Sequence, residues 1–514
     1  MTRSISDGRA RRYRRMGAAV LGAAIATAPL RAGGPGPAPA QLDWVNRITW
    51  GTNESAVTGT AKASADLKTA LHGDADAPLP PAAAAQIAAM RISREPMAAL
   101  VVALDAQAKA GSALTDPDQK KAAQADYQKA MNDLAREAAT RSILRDLYSP
   151  AQMQEQMTWF WFNHFNVQAA KRDVRAMVGD YEDQAIRPHA LGRFRDLLEA
   201  TLRHPAMLRY LDNDQNAAGR LNENYAREIM ELHSMGVGSG YSQKDVQELA
   251  RILTGVGVDL RPDAPKLKPA MQPLLIRAGL FEFNPARHDF GDKEFLGHHI
   301  KGAGFAEVEQ ALDLIAAAPA TAQHVSGQIA HYFMGDDVSP ALVGRMAGTF
   351  RSSKGDIAQV LRTMFQSAEY RASLGTAFKD PVHYAVSAVR LAYGDRVILN
   401  ADPIIVWLNR MGEGLYAHET PDGYPVQSSA WTGPGQMAVR FEIARQIGGG
   451  SAGLFKPRDA GAVEQPAFPQ IQNALYFNAL AQTLRPGTKA ALGQAVSPQE
   501  WNVLFLSSPD FMRR

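Results

Sequence analysis

The segment from Leu221 to Gly240, LNENYAREIMELHSMGVGSG, concentrates side chains that could transfer protons or hold a polar substrate. Its apolar spacing predicts a helix of about four turns, on which Asn224, Glu228 and Glu231 fall on one stripe beside the buried face. Carboxylates at the edge of a core are partly removed from water, which shifts their pKa values and suits general acid–base catalysis. Arg227 lies one step further round the helix, where a guanidinium could hold an acidic sugar.

The same residues also allow a purely structural interpretation. Arg227 is four positions from both Glu223 and Glu231, and each such pair stabilises a helix by about 0.3 kcal/mol. Gly236 and Gly238 provide the end of the helix. The segment therefore predicts either a catalytic edge or a salt-bridge network.

Two histidines on other elements could join this site. His164 lies in QEQMTWFWFNHFNV, residues 154–167, where helical spacing turns it inward, as a core residue or a functional one. His288 and Asp289 lie in GLFEFNPARHDFGDKEFLGHHI, residues 279–300, between two predicted short strands. A loop that carries His beside Asp on a rigid hairpin is a good position for a functional group.

A metal site is an alternative use of these side chains. Glu228, Glu231, His288 and Asp289, with or without His164, offer the nitrogen and oxygen ligands that Zn, Mn or Fe accept. However, the sequence contains neither HExxH nor a Glu-x-x-His pair. We therefore predict no cofactor and keep a divalent metal as an alternative.

The glycine-rich loop from Gly412 to Gly435 carries the candidate substrate-binding residues Asp422, Tyr424 and Trp431. Flat rings can cover sugar faces, and a carboxylate accepts hydrogen bonds from sugar hydroxyls. This combination is typical of a carbohydrate surface, although the aromatic rings could equally pack onto the helices.

The elements that must position these groups are predominantly helical, because apolar spacing of three and four recurs throughout. We predict a polar helix at 118–147, an amphipathic helix at 191–211 broken near Pro205, a helix capped by Ser242 and Asp245, and one begun by Pro319 that carries His324 and His331. The predicted fold is all-α with one short β-hairpin near 279–300. The mature chain, 41–514, is predicted to be a single domain whose sub-regions 41–258 and 279–514 are joined by a proline-rich loop at 259–278.

The N-terminal residues 1–40 are typical of an export signal. A basic stretch from Arg11 to Arg15 precedes an apolar run from Met16 to Leu30 and small residues at 38–40. The paired arginines also allow the twin-arginine route. A net charge of +3 without a basic stripe argues against nucleic acid as a partner, and no later apolar run has transmembrane length.

Several motifs carry a family resemblance: WFNHF, HPAMLRYLDN, NENYAREIMELHSMGVGSGYSQKDVQELARILTG, RHDFGDKEFLG, and PDGYP followed by Trp431. Together they resemble the bacterial domain of unknown function 1800 (DUF 1800) over nearly the whole mature chain. Val256 departs from the family, which usually has a tryptophan after Leu-Thr-Gly. The resemblance implies export, a mostly helical fold, and the company of a second exported family related to sulfatases and phosphatases. It implies no chemistry.

Three hypotheses for function remain open. The first is a carbohydrate-active hydrolase or lyase that acts on a polysaccharide or another envelope component, with Glu228 and Glu231 as acid and base and His164, His288 and Tyr424 placing substrate or moving protons. The second is a metal-dependent enzyme. The third is a non-catalytic envelope or assembly protein, in which the acids and Arg227 fix helix register.

Overall fold

The computed structural model describes residues 39–55, 70–71, 77–458 and 461–514. Over these residues, helices account for 59% and strands for 5%, which confirms the all-α class. The predicted export signal lies outside the described residues except for Pro39 and Ala40, which open the first helix. Among the described residues, no helix is both long and apolar enough to cross a bilayer.

The α-helices follow one another along the chain with mostly short connections. The first group is α1 Pro39–Ile48, α2 Pro81–Ala89, α3 Arg91–Arg94, α4 Met97–Ser112, α5 Pro117–Tyr148, α6 Gln152–His164, α7 Val178–Asp180, α8 Phe194–Arg203, α9 Pro205–Tyr210, α10 Asn224–Glu231 and α11 Gln243–Ile252. The second group is α12 Phe305–Ala317, α13 Pro319–Met334, α14 Pro340–Ser352, α15 Ile357–Phe365, α16 Ala368–Ala372, α17 Pro381–Tyr393, α18 Asp402–Arg410, α19 Pro434–Gly448, α20 Ala481–Thr483, α21 Pro486–Leu492 and α22 Pro498–Leu506.

Proline opens many of these helices, because the first helical position needs no N–H and suits its fixed φ. Asp116 precedes α5 and caps its N-terminus. The Asp116 side chain accepts hydrogen bonds from the amides of Asp118 and Gln119 at 3.0 and 2.9 Å. Residues from Met131 onward supply the buried side of α5. The predicted polar helix at 118–147 is thus confirmed, and its N-terminal half is exposed.

The aromatic helix α6 lies in the core that the other helices surround. Nearly all of its residues are buried, and Trp161 is fully enclosed with its indole N–H donating to the Ala190 carbonyl at 2.9 Å. One continuous hydrophobic core, which includes α6, runs from Leu42 to Met512. The site residues at the end of α6 therefore stand on a rigid support.

The strands predicted around residues 280 and 295 are present, but they do not pair with each other. The strands are β1 Val256–Val258, β2 Ile276–Ala278, β3 Phe281–Phe283, β4 Lys293–Phe295 and β5 His298–Ile300. They form two antiparallel sheets, ordered β1-β3-β2 and β4-β5. Two-residue turns join β2 to β3 and β4 to β5, so these strands pair as two hairpins. Strand β1 pairs with the other edge of β3, with Val256 opposite Phe283.

The central helix is shorter than the four turns predicted for 221–240, since α10 ends at Glu231. Beyond it the backbone hydrogen bonds reach one residue further back than in an α-helix. The amide of His233 donates to the Glu228 carbonyl and that of Met235 to the Met230 carbonyl, both at 3.0 Å. The Ser234 hydroxyl donates to the Ile229 carbonyl at 2.6 Å, which occupies another acceptor of the last turn. These bonds close the helix before the glycines that were expected to end it.

The next helix, α11, begins as predicted. The Ser242 hydroxyl accepts from the Asp245 amide at 3.2 Å, and the Asp245 carboxylate accepts from the Ser242 amide at 2.8 Å. This reciprocal arrangement is a capping box, which satisfies two amides that a helix start leaves free.

A buried charge network fixes the β4-β5 sheet to α12. The carboxylate of Glu307 contacts the Lys293 ammonium and accepts from the Nε2 atom of His288 at 2.9 Å, and all three side chains have no exposed surface. The amides of Ala303 and Gly304 also donate to Glu307, at 2.7 and 2.9 Å. Burial by itself would raise the pKa of Glu307, but these hydrogen bonds lower it below its ordinary value.

We expect Glu307→Gln to lower the free energy of unfolding by about 3 kcal/mol, because it leaves the Lys293 charge buried without a counterion. Urea unfolding monitored by circular dichroism measures the change. Glu294→Gln is the matched control: Glu294 also accepts from a histidine, His299, but its side chain is 57% exposed, so little change is expected. Equal losses in the two variants would contradict this account.

Candidate functional site

A cleft of about 560 Å³ opens where the ends of α6 and α10 meet α13 and the glycine-rich loop. We call it the acid–histidine cleft. The residues that line it are Phe160, Asn163, His164, Glu231, Leu232, Val237, His324, Gln328, His418, Thr420, Asp422, Gly423, Tyr424, Pro425, Val426 and Gln427.

The end of α10 fixes two of the histidines. A helix C-terminus leaves carbonyl groups without intrahelical partners. Here His164 donates from Nε2 to the His233 carbonyl at 3.0 Å, and His324 donates from Nε2 to the Leu232 carbonyl at 3.2 Å. Since a carbonyl can only accept, both rings carry their proton on Nε2, which makes Nδ1 the free acceptor atom of each neutral imidazole.

These imidazoles are uncharged at neutral pH. Burial lowers the pKa of His164 to about 3, and the nearby rings of His324 and His233 lower it further. Burial also lowers the pKa of His233 to about 3, although the Pro421 carbonyl acts in the opposite direction, and it lowers the pKa of His324. The ring centroid of His164 lies 6.2 Å from that of His233 and 6.1 Å from that of His324. The floor of the cleft is thus polar but not cationic.

The acids of α10 have two different environments. The Oε1 atom of Glu231 is 3.2 Å from the Arg227 guanidinium, which also reaches Glu223 at 3.2 Å and Gln243 at 2.9 Å. No described residue forms a hydrogen bond or ion pair with the Glu228 carboxylate, which is half-buried. One acid is therefore held by a guanidinium, and its neighbour on the same edge is unpaired.

The pKa of Glu228 is raised above its ordinary value. Burial is the main cause, the charges of Glu231 and Asp422 add to it, and Arg227 opposes it. The influence of Asp422 links the edge of α10 to the glycine-rich loop, because repulsion between two carboxylates is strong only over short separations. The raised pKa favours the protonated form of Glu228, which is the form that can donate a proton.

The loop is attached to α6 through Asn163. This side chain accepts from the Tyr424 amide at 2.7 Å and donates to the Tyr424 carbonyl at 2.9 Å. Gly423 has a φ of +70°, and a Cβ atom there would lie 2.1 Å from the Asn163 carbonyl oxygen. The Tyr424 hydroxyl donates to Gly414 at 2.9 Å, which fixes the ring. The close approach explains why glycine is needed between Asp422 and Tyr424.

Asp422 remains open to solvent, with 59% of its side chain exposed. It accepts from the Thr420 hydroxyl at 2.5 Å and lies 3.4 Å from the Nε2 atom of His418. The His418 ring is also 4.5 Å from that of Tyr424. These groups form a polar rim that can exchange hydrogen bonds with a ligand.

The structure places other predicted residues away from the cleft lining. His288 uses Nε2 for Glu307 and Nδ1 for Thr254, the latter at 2.8 Å to the carbonyl. Both Asp289 oxygens accept from Arg251, at 2.8 and 3.3 Å. The functions predicted for His288 and Asp289 stay predictions, and their observed contacts hold the β-rich segment to α11 and α12.

Two of the predicted substrate-binding residues also have structural contacts. Trp431 is buried and donates its indole N–H to the Pro425 carbonyl at 3.0 Å. Asn224 is exposed and donates to the Leu211 carbonyl at 3.2 Å. Neither lines the cleft, whereas Asp422 and Tyr424 do.

Sequence reasoning missed His324, His233 and Asn163 as parts of the site. His324 lies on a helix that carries no chemical motif, and His233 stands just past the acidic stripe. Asn163 precedes His164 in the WFNHF motif, which is the one signal that could have identified it. Their convergence depends on long-range packing, which periodicity does not reveal.

The predicted metal ligands do not form a cluster in this arrangement. Among the described residues, no group of three or more His, Asp or Glu side chains is placed to hold a metal ion. His288 and Asp289 use their ligand atoms for protein contacts, as described above. The donor set of Glu228, Glu231, His288 and Asp289 therefore does not fit a metal as the side chains stand.

Comparison with known proteins identifies one match. The family model described as a protein of unknown function (DUF1800) matches residues 43–513. No curated protein and no solved structure matches the chain.

We expect the stability difference between wild type and His164→Gln to shrink as pH falls below 6.5. A neutral buried histidine with a folded pKa of about 3 binds its proton more weakly than the unfolded chain, so acid destabilises the wild type by about 1.4 kcal/mol per pH unit for that group. Glutamine keeps the N–H donor but does not titrate. Urea unfolding at several pH values between 7.5 and 4.5 measures the trend.

The exposed His299 provides the control for this titration. His299→Gln should produce no such convergence, because the hydrogen bond to Glu294 raises the pKa of His299 above its ordinary value and outweighs the opposing effect of desolvation, so acid does not destabilise the folded protein through this group. A stability difference for His164→Gln that stays constant with pH would show that His164 is not held neutral.

Proposed function

The chain belongs to the DUF1800 family, and we propose that it is an exported carbohydrate-active enzyme, a hydrolase or a lyase, whose active site is the acid–histidine cleft. The observation that carries the proposal is the state of Glu228. It is half-buried and has no hydrogen-bond or ion-pair partner among the described residues, and its pKa is raised. Glu228 is not itself one of the lining residues, but it lies one helical turn before Glu231, which is. An unpaired, partly buried carboxylate in this position favours catalysis over stability.

Glu228 acts as the general acid in this proposal. Its raised pKa keeps a larger share of the carboxyl protonated near neutral pH, so it can donate to the oxygen of the bond that breaks. Glu231 is oriented by Arg227 and accepts a proton from water in the hydrolase version. The division of roles follows from the different environments of two neighbouring acids.

The neutral imidazoles suit the lyase version. The Nδ1 atom of His164 is free to accept, because Nε2 donates to the His233 carbonyl. A neutral base of this kind can take the proton next to a uronic acid carboxylate, and Glu228 then protonates the leaving oxygen. Carbon–oxygen cleavage in this version proceeds by elimination and consumes no water.

The rest of the cleft supports a sugar ligand. Its volume of about 560 Å³ lies in the range of small-ligand sites. Asn163, Gln328 and Asp422 provide amide and carboxylate groups that exchange hydrogen bonds with hydroxyls, and Phe160 and Tyr424 provide rings in the same lining. We assign no substrate contact to His288, Asp289 or Trp431, because they have the structural contacts described above.

We extend the proposal to location and partners on the basis of the family resemblance. Export follows the N-terminal signal, through the general or the twin-arginine route, and the substrate is a polysaccharide or another envelope component. An exported protein related to sulfatases or phosphatases is the proposed protein partner.

The ion pairs around Arg227 favour a second candidate, a non-catalytic envelope or assembly protein. Arg227 joins Glu223 and Glu231 on one helix and reaches Gln243 on the next. Such a network can fix the register of α10 against α11 without any chemistry. The two candidates predict different effects of Glu228→Gln on cleavage rate and on stability.

We expect Glu228→Gln to lower the rate of glycosidic cleavage by about 100-fold or more, since it removes the proton donor. Melting should move by less than about 2 °C, because no described contact is broken. The mature protein is tested on neutral and uronic acid polysaccharides. Reducing-end release reports both cleavage reactions, and the absorbance of unsaturated products reports elimination alone.

Glu223→Gln is the matched control, since Glu223 is paired with Arg227 at 3.2 Å, whereas Glu228 has no partner among the described residues. It should retain the wild-type rate. A wild-type protein that cleaves no polysaccharide in the panel, combined with a large loss of stability in Glu228→Gln, would favour the non-catalytic candidate.

A further inference from the structure

A second cleft, of about 320 Å³, lies between α1, the start of α17 and the C-terminal segment. It does not share any lining residue with the acid–histidine cleft. Lys379, which is only 2% exposed, forms part of its wall together with Asp43, Leu480 and Phe511. A lysine in this position is unusual, because lysines are almost never fully buried unless paired.

None of the described acidic side chains is a partner of Lys379. Its amine donates to the Ser387 hydroxyl oxygen at 3.0 Å and lies 3.9 Å from the centre of the Phe511 ring. The Ser387 hydroxyl donates in turn to the Tyr384 carbonyl at 3.1 Å, so its oxygen serves as an acceptor for the lysine. No described carboxylate forms an ion pair with the amine, and the charged groups acting on it are guanidinium groups.

The backbone holds Lys379 in place on both sides. Its amide donates to the Met512 carbonyl at 2.8 Å, and its carbonyl accepts from the Arg440 guanidinium at 2.8 Å. Burial lowers the pKa of Lys379 well below its ordinary value, and the charges of Arg514 and Arg440 lower it further. Burial therefore favours the neutral amine, whose free lone pair is what a nucleophilic lysine requires.

We propose that Lys379 and the cleft it lines form a second reactive site, in which the lysine amine condenses with a small aldehyde or ketone to give an imine. The Nζ lone pair attacks the carbonyl carbon, forming a C–N bond while the carbonyl oxygen takes up a proton. The nitrogen loses a proton to give a carbinolamine, whose hydroxyl group is protonated and leaves as water when the C–O bond breaks. The nitrogen lone pair forms the C=N bond, and the resulting iminium loses its remaining N–H proton to give the imine. The net reaction joins amine and carbonyl and releases one water molecule, with no oxidant or reductant.

Asp43 supplies the proton for the departing water. It lines the same cleft, and burial raises its pKa, although Arg47 opposes this effect. A carboxyl with a raised pKa and an amine with a lowered pKa are the acid and nucleophile that imine formation needs.

The volume of the cleft restricts the size of the carbonyl compound. The wall is mixed in polarity, since it combines apolar residues such as Leu42, Leu480 and Phe505 with polar ones such as Asn46 and Thr483. A cavity of this volume admits a small molecule but not a polymer. The substrate class is therefore a small aldehyde or ketone, which separates this site from the one proposed for carbohydrate.

The test is reductive labelling of the folded full-length protein with butanal and cyanoborohydride at pH 7. Peptide mass spectrometry measures the modification rate of each lysine. The comparison is Lys129, whose side chain is 77% exposed and whose ammonium is paired with Asp133 at 2.8 Å, so its charge is compensated by water and a carboxylate. Lys379 should therefore react at least about tenfold faster than Lys129, and this ratio should fall towards pH 10.

A Lys379 rate equal to or below that of Lys129 at pH 7 would overturn the proposal and leave the lysine as a packing residue. The assignment of Asp43 is tested separately. Asp43→Asn should slow the labelling of Lys379 severalfold while leaving Lys129 unchanged. Asp510→Asn is the control, since Asp510 lines the same cleft but is paired with Arg485 at 3.3 Å. An unchanged Lys379 rate in Asp43→Asn would remove Asp43 from the mechanism.

Discussion

The early end of α10 is the constraint on which the acid–histidine cleft depends. A helix that continued through His233 would use its carbonyls internally, but this one leaves the Leu232 and His233 carbonyls for donors on other helices. His164 and His324 provide those donors, which requires the Nε2–H tautomer and burial of both rings. The helix end therefore fixes the positions of the two imidazoles. It also favours their neutral form and leaves the Nδ1 atom of each ring free.

Most of the fold was readable from the sequence because its determinants are local. The capping box of α11, the proline at the start of α13 and the extent of α5 follow from residues within one or two turns. The length of α10 could not be predicted from the sequence. The hydrogen bonds that end it reach one residue further back than those of a regular α-helix, and Ser234 and distant histidines bond to its last carbonyls. The partners of the strands also did not follow, because alternation identifies a strand but not its neighbour.

The candidate site was predictable to the extent that its residues share one element. Glu228 and Glu231 lie on the expected edge of α10, and Asp422 and Tyr424 lie on the expected loop. The position of His288 was not predictable, because its ligand atoms face Glu307 and Thr254, which are 19 and 34 residues away. A histidine beside an aspartate has the same local sequence whether it faces a cleft or a carboxylate from a distant helix.

The pairing of other buried acids explains why the unpaired ones are informative. Glu307 is held by Lys293 and His288, Glu155 accepts from Arg187 at 2.8 Å, and Glu182 accepts from the Tyr416 hydroxyl at 2.7 Å. In each case a partner offsets the loss of water around a charge. Glu228 and Lys379 have no such ion-pair partner among the described residues; Lys379 lines the second cleft, and Glu228 lies one helical turn before Glu231, which lines the first. Burial raises the pKa of Glu228 and lowers that of Lys379, so it favours the protonated carboxyl and the neutral amine that proton donation and nucleophilic attack require.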